Sequence, residues 1–456
     1  MFVNREREIL RLKQALGRER ACLVVVYGRR RCGKTTLLRH VLPANAIYFA
    51  ADQRDQTLQI AALARQADKL VPGFGKPAYP DWESLFTSLN LALQERATLC
   101  IDEFPYLVKN CPELPSIIQR LVDAKSLRYH LILCGSSQQM MHGMVLDGAS
   151  PLYGRSDEVL RVKPMGISHL KAYLDVDAID AVREFGVWGG VPRYWEIRKQ
   201  VGGFADAVKN NILDQFGVLH EEPERLFYDE MRTSTQAYSI LCLIGAGCHR
   251  VSEIAGRLGK PATHLSRLLG FLIDLGYVRR ELPFGESVRS TKKTLYKIDD
   301  PFLNFFFTFL VPNKSRLEFG LVDQVWGDII RQYDQYLSGT WEHLCRGAVP
   351  FLEFDGKRFS PSTRWWGAGL DGKPMELDLV AESVDQSTLL LGEVKWGDKV
   401  NLGALRGELE RKVGQASFIK GRQVITALFV KKARKESFSD MGCNVLTPGM
   451  VIDCMG

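Results

Sequence analysis

The run Gly28-Arg29-Arg30-Arg31-Cys32-Gly33-Lys34-Thr35 constrains this chain more than any other stretch of its 456 residues. It fits the pattern GxxxxGK[ST], directly after the apolar residues 23–26 (LVVV) and before the helical pattern TTLLRHV. Glycines at both ends let backbone N–H groups curl around phosphate oxygens, and the N-terminus of the following helix adds positive potential. Lys34 is then placed for the β- and γ-phosphates of ATP and the Thr35 hydroxyl for Mg²⁺, while Arg29, Arg30, Arg31, Cys32 and Thr36 complete the cradle. Such a loop needs a strand before it and a helix after it, so an α/β fold is predicted.

The neighbouring sequence repeats that alternation. Short β-branched runs stand at 22–28 (CLVVVYG), 46–50 (AIYFA), 98–103 (TLCIDE) and 130–137 (HLILCGSS), with helical patterns between them. This predicts a parallel sheet covered by helices on both faces. Open sheets of that kind bind ligands beyond their strand C-termini, and residues 99–103 end there in two carboxylates. Asp102 would hold Mg²⁺ directly or through water. Glu103 would orient or deprotonate the attacking water, which separates ATP hydrolysis from nucleotide binding. Ser136, closing the next strand, is placed to sense the γ-phosphate or that water. Arg155, in the box PLYGR, could reach a phosphate in cis or across a subunit interface and neutralise charge in the transition state.

Together with the opening FVNRERE, the strand end CGSSQQMM and the turn GGVPRYW, these boxes resemble the archaeal-type DEXX-box P-loop ATPases related to AAA+ and STAND proteins. Their order and spacing cover the first half of the chain. The resemblance implies ATP and Mg²⁺ as cofactors. It also implies that the N-terminal box, Asn4 and Arg5, packs by the adenine and that the turn at Gly190 and Pro192 contacts the base.

Four parts are predicted: a P-loop ATPase core (1–165), a helical lid subdomain (166–232), a winged helix-turn-helix with its joining segment (233–315) and a second α/β domain (316–456). Residues 238–245, 252–258 and 263–275 read as three helices separated by glycine-containing turns, followed by a strand pair at 277–281 and 294–296. On the third helix the leucines face a core, leaving His264, Ser266 and Arg267 outward, and Arg289, Lys292 and Lys293 crowd the tip of the wing. These cations suit DNA phosphates. The aromatic stretch 301–311 reads as interdomain core.

In the last part, residues 375–380 (MELDLV) read as a strand. Alternation puts Glu376 and Asp378 on one face and Leu377 and Leu379 toward the core. Residues 389–396 repeat the device with Glu393 and Lys395. Two or three carboxylates and a lysine at one spot are what metal-assisted phosphodiester cleavage requires. The pattern resembles the PD-(D/E)xK nuclease fold, with Glu342 on the preceding helix matching a further acid and Glu342, Glu376, Asp378 and Glu393 as metal ligands. It also resembles the restriction-endonuclease-like tail of the same ATPase family. The KKARK run at 431–435 reads as a solvated face.

Lysine and arginine outnumber acids by 60 to 53, a net charge of +7 compatible with nucleic acid without requiring it. Ten cysteines without a CxxC pair predict reduced core thiols instead of a disulfide or zinc framework. The longest apolar run is far short of the roughly 20 residues a spanning helix needs, and the opening residues lack a signal-peptide layout, which predicts a cytoplasmic protein without a membrane partner. The leading expectation is an ATPase acting on DNA with a nuclease-like domain. The alternative is an ATP-dependent switch that binds DNA or protein without cleaving. A homo-oligomer stays open through Arg155.

Overall fold

The computed structural model describes residues 4–456 except 146, 149, 231–233, 288, 290, 292 and 434–441, and except the side chains of 139, 229 and 230. Phe2 and Val3 of the opening box, Lys292 at the expected wing tip, and Arg434 and Lys435 of the basic run therefore lie outside the described residues. The chain divides into two compact units, Met1–Pro164 with Leu226–Arg232, and Met165–Arg225 with Thr233–Gly456.

The first unit is built on five parallel strands, β1 (Leu23–Tyr27), β2 (Ala46–Ala50), β3 (Ala97–Asp102), β4 (Tyr129–Gly135) and β5 (Glu158–Arg161), in the order β2-β3-β4-β1-β5. All four neighbouring pairs run parallel. Every residue of β1, β3 and β4 is buried, as continuous apolar strands must be when helices cover both sheet faces. Helices α1 (Glu6–Leu16), α2 (Lys34–Val41), α3 (Phe104–Asn110) and α4 (Leu114–Asp123) belong to this unit. One core joins Leu23 and Val25 of β1 to Leu99 and Ile101 of β3 and to the buried rings of Trp82, Phe86 and Phe104. Because β4 lies between β1 and β3, the strand that ends just before Ser136 separates β1, which leads into the phosphate loop, from β3, which ends in the acids.

The second unit starts with helices, including Ala178–Trp188 and Pro192–Lys199. Helices α5 (Ser234–Gly245), α6 (Val251–Leu258) and α7 (Ala262–Leu275) follow, then the antiparallel pair β6 (Val278–Glu281) and β7 (Leu295–Ile298). On α7 the side chains of Leu265, Leu268, Leu269, Leu272 and Leu275 are buried, while His264, Ser266 and Arg267 are exposed. The aromatic stretch is core: Phe302, Phe305, Phe306, Phe307 and Phe309 are all buried.

The long helix α8 (Val322–Ala348) leads through the short pair β8 (Glu353–Phe354) and β9 (Lys357–Arg358) to a second five-stranded sheet. It comprises β10 (Thr363–Ala368), β11 (Pro374–Glu382), β12 (Thr388–Lys395), β13 (Gln423–Val430) and β14 (Asn444–Leu446), in that order. The first two pairs are antiparallel and the last two parallel, with α9 (Leu402–Gln415) connecting β12 to β13. Simple alternation fails on β11. Trp365 pairs with Leu377 but Thr363 with Val380, so the register slips beside Asp378. Leu377 and Val380, three residues apart, consequently share one core.

All ten cysteines are free and eight are buried. No helix among the described residues is long and apolar enough to cross a membrane.

Candidate nucleotide site and a second carboxylate cluster

The loop after β1 adopts a conformation few sequences permit. Gly28 has φ of +153°, and a Cβ there would lie 2.2 Å from the Val162 carbonyl oxygen. Arg31 and Gly33 both have positive φ, and Gly33 precedes α2 in the left-handed region, where glycine carries no steric penalty. The Lys34 Nζ, buried within the loop, donates to the carbonyl oxygens of Gly28 at 2.8 Å and Arg29 at 3.0 Å. Cys32 and Arg29 are buried, Arg30 is half-buried, and Arg31, Thr35 and Thr36 are exposed.

Asp102, at the end of β3, gathers the site. Its Oδ2 accepts from the Thr35 hydroxyl at 2.7 Å and from the Tyr48 hydroxyl at 2.6 Å, and its Oδ1 accepts from the Glu103 N–H at 3.0 Å. Burial alone would raise its carboxyl, but hydrogen bonds from Cys134, Tyr48, Thr35 and the Glu103 N–H hold it below the ordinary carboxylate range. Thr35 and Asp102 thus form a hard-oxygen pair that fits Mg²⁺, whose shell phosphate oxygens and water would complete. Glu103 sits at φ of 54°, immediately before α3, and its Oε2 accepts from the Ser136 hydroxyl at 2.8 Å and the Ser136 N–H at 3.1 Å. Lys34, Thr35, Asp102, Glu103 and Ser136 therefore share the C-terminal edge of one sheet. Tyr48, on β2, is the member that sequence reading missed, since a tyrosine in an edge strand carries no local signal of its partner.

Other expected residues stand elsewhere. Arg5 is buried and donates to the carbonyl oxygens of Cys32 at 3.0 Å and Lys163 at 2.8 Å, so it braces the phosphate loop from behind. Asn4 is exposed and its Oδ1 accepts from the Glu6 N–H at 3.2 Å, a local turn at the start of α1. Arg155 donates to Asp123 at 2.9 Å. Asp123 closes α4 just before β4 begins, and the nearby Asp157 N–H bonds the Leu23 carbonyl at the start of β1. Arg155 is therefore at the sheet edge opposite the phosphate loop, and the expected contact in cis is corrected. Gly190 and Pro192 belong to the second unit, where the Gly190 carbonyl accepts from the Met165 N–H at 2.7 Å and Pro192 opens a helix.

The C-terminal acids gather only in part. Asp378 Oδ2 accepts from the Val394 N–H at 3.0 Å and from Lys395 Nζ at 3.3 Å. Glu393 is fully buried; its Oε2 lies 3.2 Å from Lys395 Nζ and its Oε1 2.7 Å from Lys412 Nζ, on α9. Burial and then repulsion from Asp378 push the Glu393 carboxyl up to about 7, against the pull of the two lysines. Glu376 is drawn away by Arg364, and Glu342 lies 3.5 Å from Arg346. Among the described residues no group of three or more His, Cys, Asp or Glu could hold a metal ion. The expected four-acid ligand set of Glu342, Glu376, Asp378 and Glu393 is thus corrected to a pair of acids closed by two lysines. An open groove of about 510 Å³ beside it is lined by Glu342, Lys395, Trp396, Asn401 and Glu408.

Comparison with known proteins agrees with the first site. Residues 2–187 match a family model described as an ATPase domain predominantly from Archaea, and residues 306–407 match one described as Archaea bacterial proteins of unknown function. An uncharacterised protein of Methanocaldococcus jannaschii is 35% identical over 405 residues, covering 87% of this chain and 88% of its own. Among solved structures, a Walker-type ATPase of Pyrococcus abyssi aligns with a TM-score of 0.53 at 22% identity, covering 67% of this chain and 96% of that chain, a likeness of fold. The ORC2 protein of Aeropyrum pernix is a looser likeness, with a TM-score of 0.44 at 14% identity over 72% of this chain and 96% of that one. With the phosphate loop and acidic strand end at one sheet edge, and a relative matched over nearly its whole length, the chain belongs to the family of proteins carrying the ATPase domain found predominantly in Archaea.

Proposed function

We propose that this protein hydrolyses ATP at the first unit and acts on DNA as a nucleotide-driven switch. The observation that carries the hydrolysis is the contact of Thr35 with Asp102 at the sheet edge that also bears Lys34 and Glu103. The Lys34 ammonium would leave its loop carbonyls for the β- and γ-phosphates, and the loop N–H groups would hold the remaining phosphate charge. Glu103 would take the proton of the attacking water, and Ser136 fixes which way that carboxylate points. Mg²⁺, held by Thr35 and Asp102, would supply neutralising charge between the phosphates. Arg155 would serve a phosphate only in trans, within a homo-oligomer.

Support for DNA comes from the residues beyond the ATPase core. Residues 166–232 would act as a lid and 233–315 as a winged-helix module whose exposed His264, Arg267, Arg289 and Lys293 meet phosphates. Residues 316–456 resemble a PD-(D/E)xK fold through Asp378, Glu393 and Lys395. Both Glu393 oxygens are taken by ammonium groups, so the cluster does not fit Mg²⁺ as it stands, and this favours binding over cleavage.

ATP turnover is the first test, with wild type set against Lys34→Ala and Glu103→Gln. Lys34→Ala is expected to lose nucleotide binding, and Glu103→Gln to keep binding while turnover falls at least 100-fold. Retardation of a short duplex should depend on ATP and weaken steeply between 50 and 200 mM salt. A wild type that neither hydrolyses ATP nor retards DNA would sink the proposal, and Mg²⁺-dependent plasmid cleavage lost in Asp378→Ala would restore the nuclease reading.

A further inference from the structure

The residues of the C-terminal cluster carry more than a failed fit. Asp378 and Glu393 bring two negative charges to the junction of β11 and β12, and Lys395 and Lys412 bring two positive ones. Lys395 alone bridges both acids, at 3.3 and 3.2 Å, and its side chain is 43% exposed at the groove. Lys412 is different. It comes from the last turn of α9, its side chain is only 12% exposed, and its contact with Glu393 at 2.7 Å is the shortest in the cluster. Glu408, one turn earlier on α9, accepts from the same ammonium at 3.3 Å.

A divalent cation shared by Asp378 and Glu393 needs free carboxylate oxygens facing each other and a net negative pocket. Here one Glu393 oxygen faces Lys395 and the other faces Lys412, so neither is open to a cation. Inserting a divalent ion without moving Lys412 would set it against two ammonium groups beside a fully buried carboxylate, a costly arrangement at low dielectric.

We propose that the Lys412 ammonium occupies the cation position of this nuclease-like cluster, so that divalent metal binding there is in direct competition with a side chain of the protein itself. α9 thereby becomes the element that closes the site, and withdrawal of Lys412 toward Glu408 would open it. The inference rests on reading residues 316–456 as PD-(D/E)xK-like but not on ATP turnover or DNA binding, so it is tested apart from both.

The test uses the full-length, nucleotide-free chain in an Asp102→Asn background, which removes the other oxygen site for a divalent ion, and titrates Mn²⁺ by calorimetry and electron paramagnetic resonance. With Lys412 intact, no Asp378-dependent Mn²⁺ site is expected below millimolar concentration. Lys412→Met, which keeps the length and loses the charge, should gain one Mn²⁺ per chain with at least tenfold tighter binding, and adding Asp378→Asn should remove it. Lys412→Arg should behave as the parent. Should Lys412→Met melt before the assay temperature, Lys412→Gln carries the same comparison. The idea is overturned by a folded Lys412→Met or Lys412→Gln that gains no site. It is equally overturned by micromolar, Asp378-dependent Mn²⁺ binding to the parent, an outcome that needs no Lys412 variant.

Discussion

Arg5 holds the carbonyls of Cys32 and Lys163 through one guanidinium nitrogen, so a single buried cation ties the phosphate loop to the chain just past β5. Charge-assisted hydrogen bonds of this kind contribute about 1.5–3 kcal/mol each. Arg5→Ala is therefore expected to lower ATP affinity about tenfold and to destabilise the first unit by at least about 2 kcal/mol, read by calorimetric titration and a urea curve. An unchanged affinity with lowered stability would make Arg5 a fold residue without a part in shaping the loop. The phosphate loop itself was legible because its chemistry is local: eight consecutive residues carry the glycines, the lysine and the hydroxyl. The roles of Arg5 and Tyr48 were not, because their partners lie 158 and 54 positions away. The same holds for Lys412, whose helical surroundings give no hint that its ammonium reaches Glu393.

Among the elements, the strands of the first sheet were readable from their apolar runs except β5, whose four residues EVLR lack such a run and are held by pairing with β1. The order of the strands was not readable, since chain order says nothing of which strand is inserted between which. The pair β6 and β7 was legible as a hairpin, but the ion cluster around its Glu281 was not, because two of the partners come from distant elements. The Glu281 carboxylate on β6 lies 2.9 Å from Arg279 and 3.0 Å from Arg364, with Arg346 and Lys297 at 3.6 Å. Burial would raise this carboxyl, yet Arg279, Lys297, Arg346 and Arg364 together hold it far below its ordinary value. A depressed pKa means stabilisation that is complete at neutral pH and lost as acid protonates the unfolded chain near its ordinary pKa and then the folded one. Glu281→Gln should cost about 3–5 kcal/mol at pH 7, because four cations lose their buried partner. In denaturant curves the gap between wild type and variant should narrow below about pH 4. A gap constant from pH 7 to pH 3 would show that the ion cluster contributes no net stability.

At the scale of the whole molecule, two units with separate cores imply two cooperative transitions. Mg²⁺ with a non-hydrolysed ATP analogue at 100 times its Kd should stabilise the first unit by about 2.7 kcal/mol and leave the other transition in place. Scanning calorimetry reads both at once, and a common shift of the two would mean that they melt as one body. The chain passes between the units three times, since Leu226–Arg232 returns to the first after Met165–Arg225 has entered the second. Leu226 and Phe227 in that returning segment are buried. During synthesis the ATPase unit is therefore still without Leu226–Arg232 when Pro164 leaves the ribosome. At about 5–20 residues per second the missing segment follows on the order of 3–14 s later. For that interval the nascent protein carries a phosphate loop on a unit that lacks one of its segments, and a fragment ending at Pro164 would lack that segment permanently.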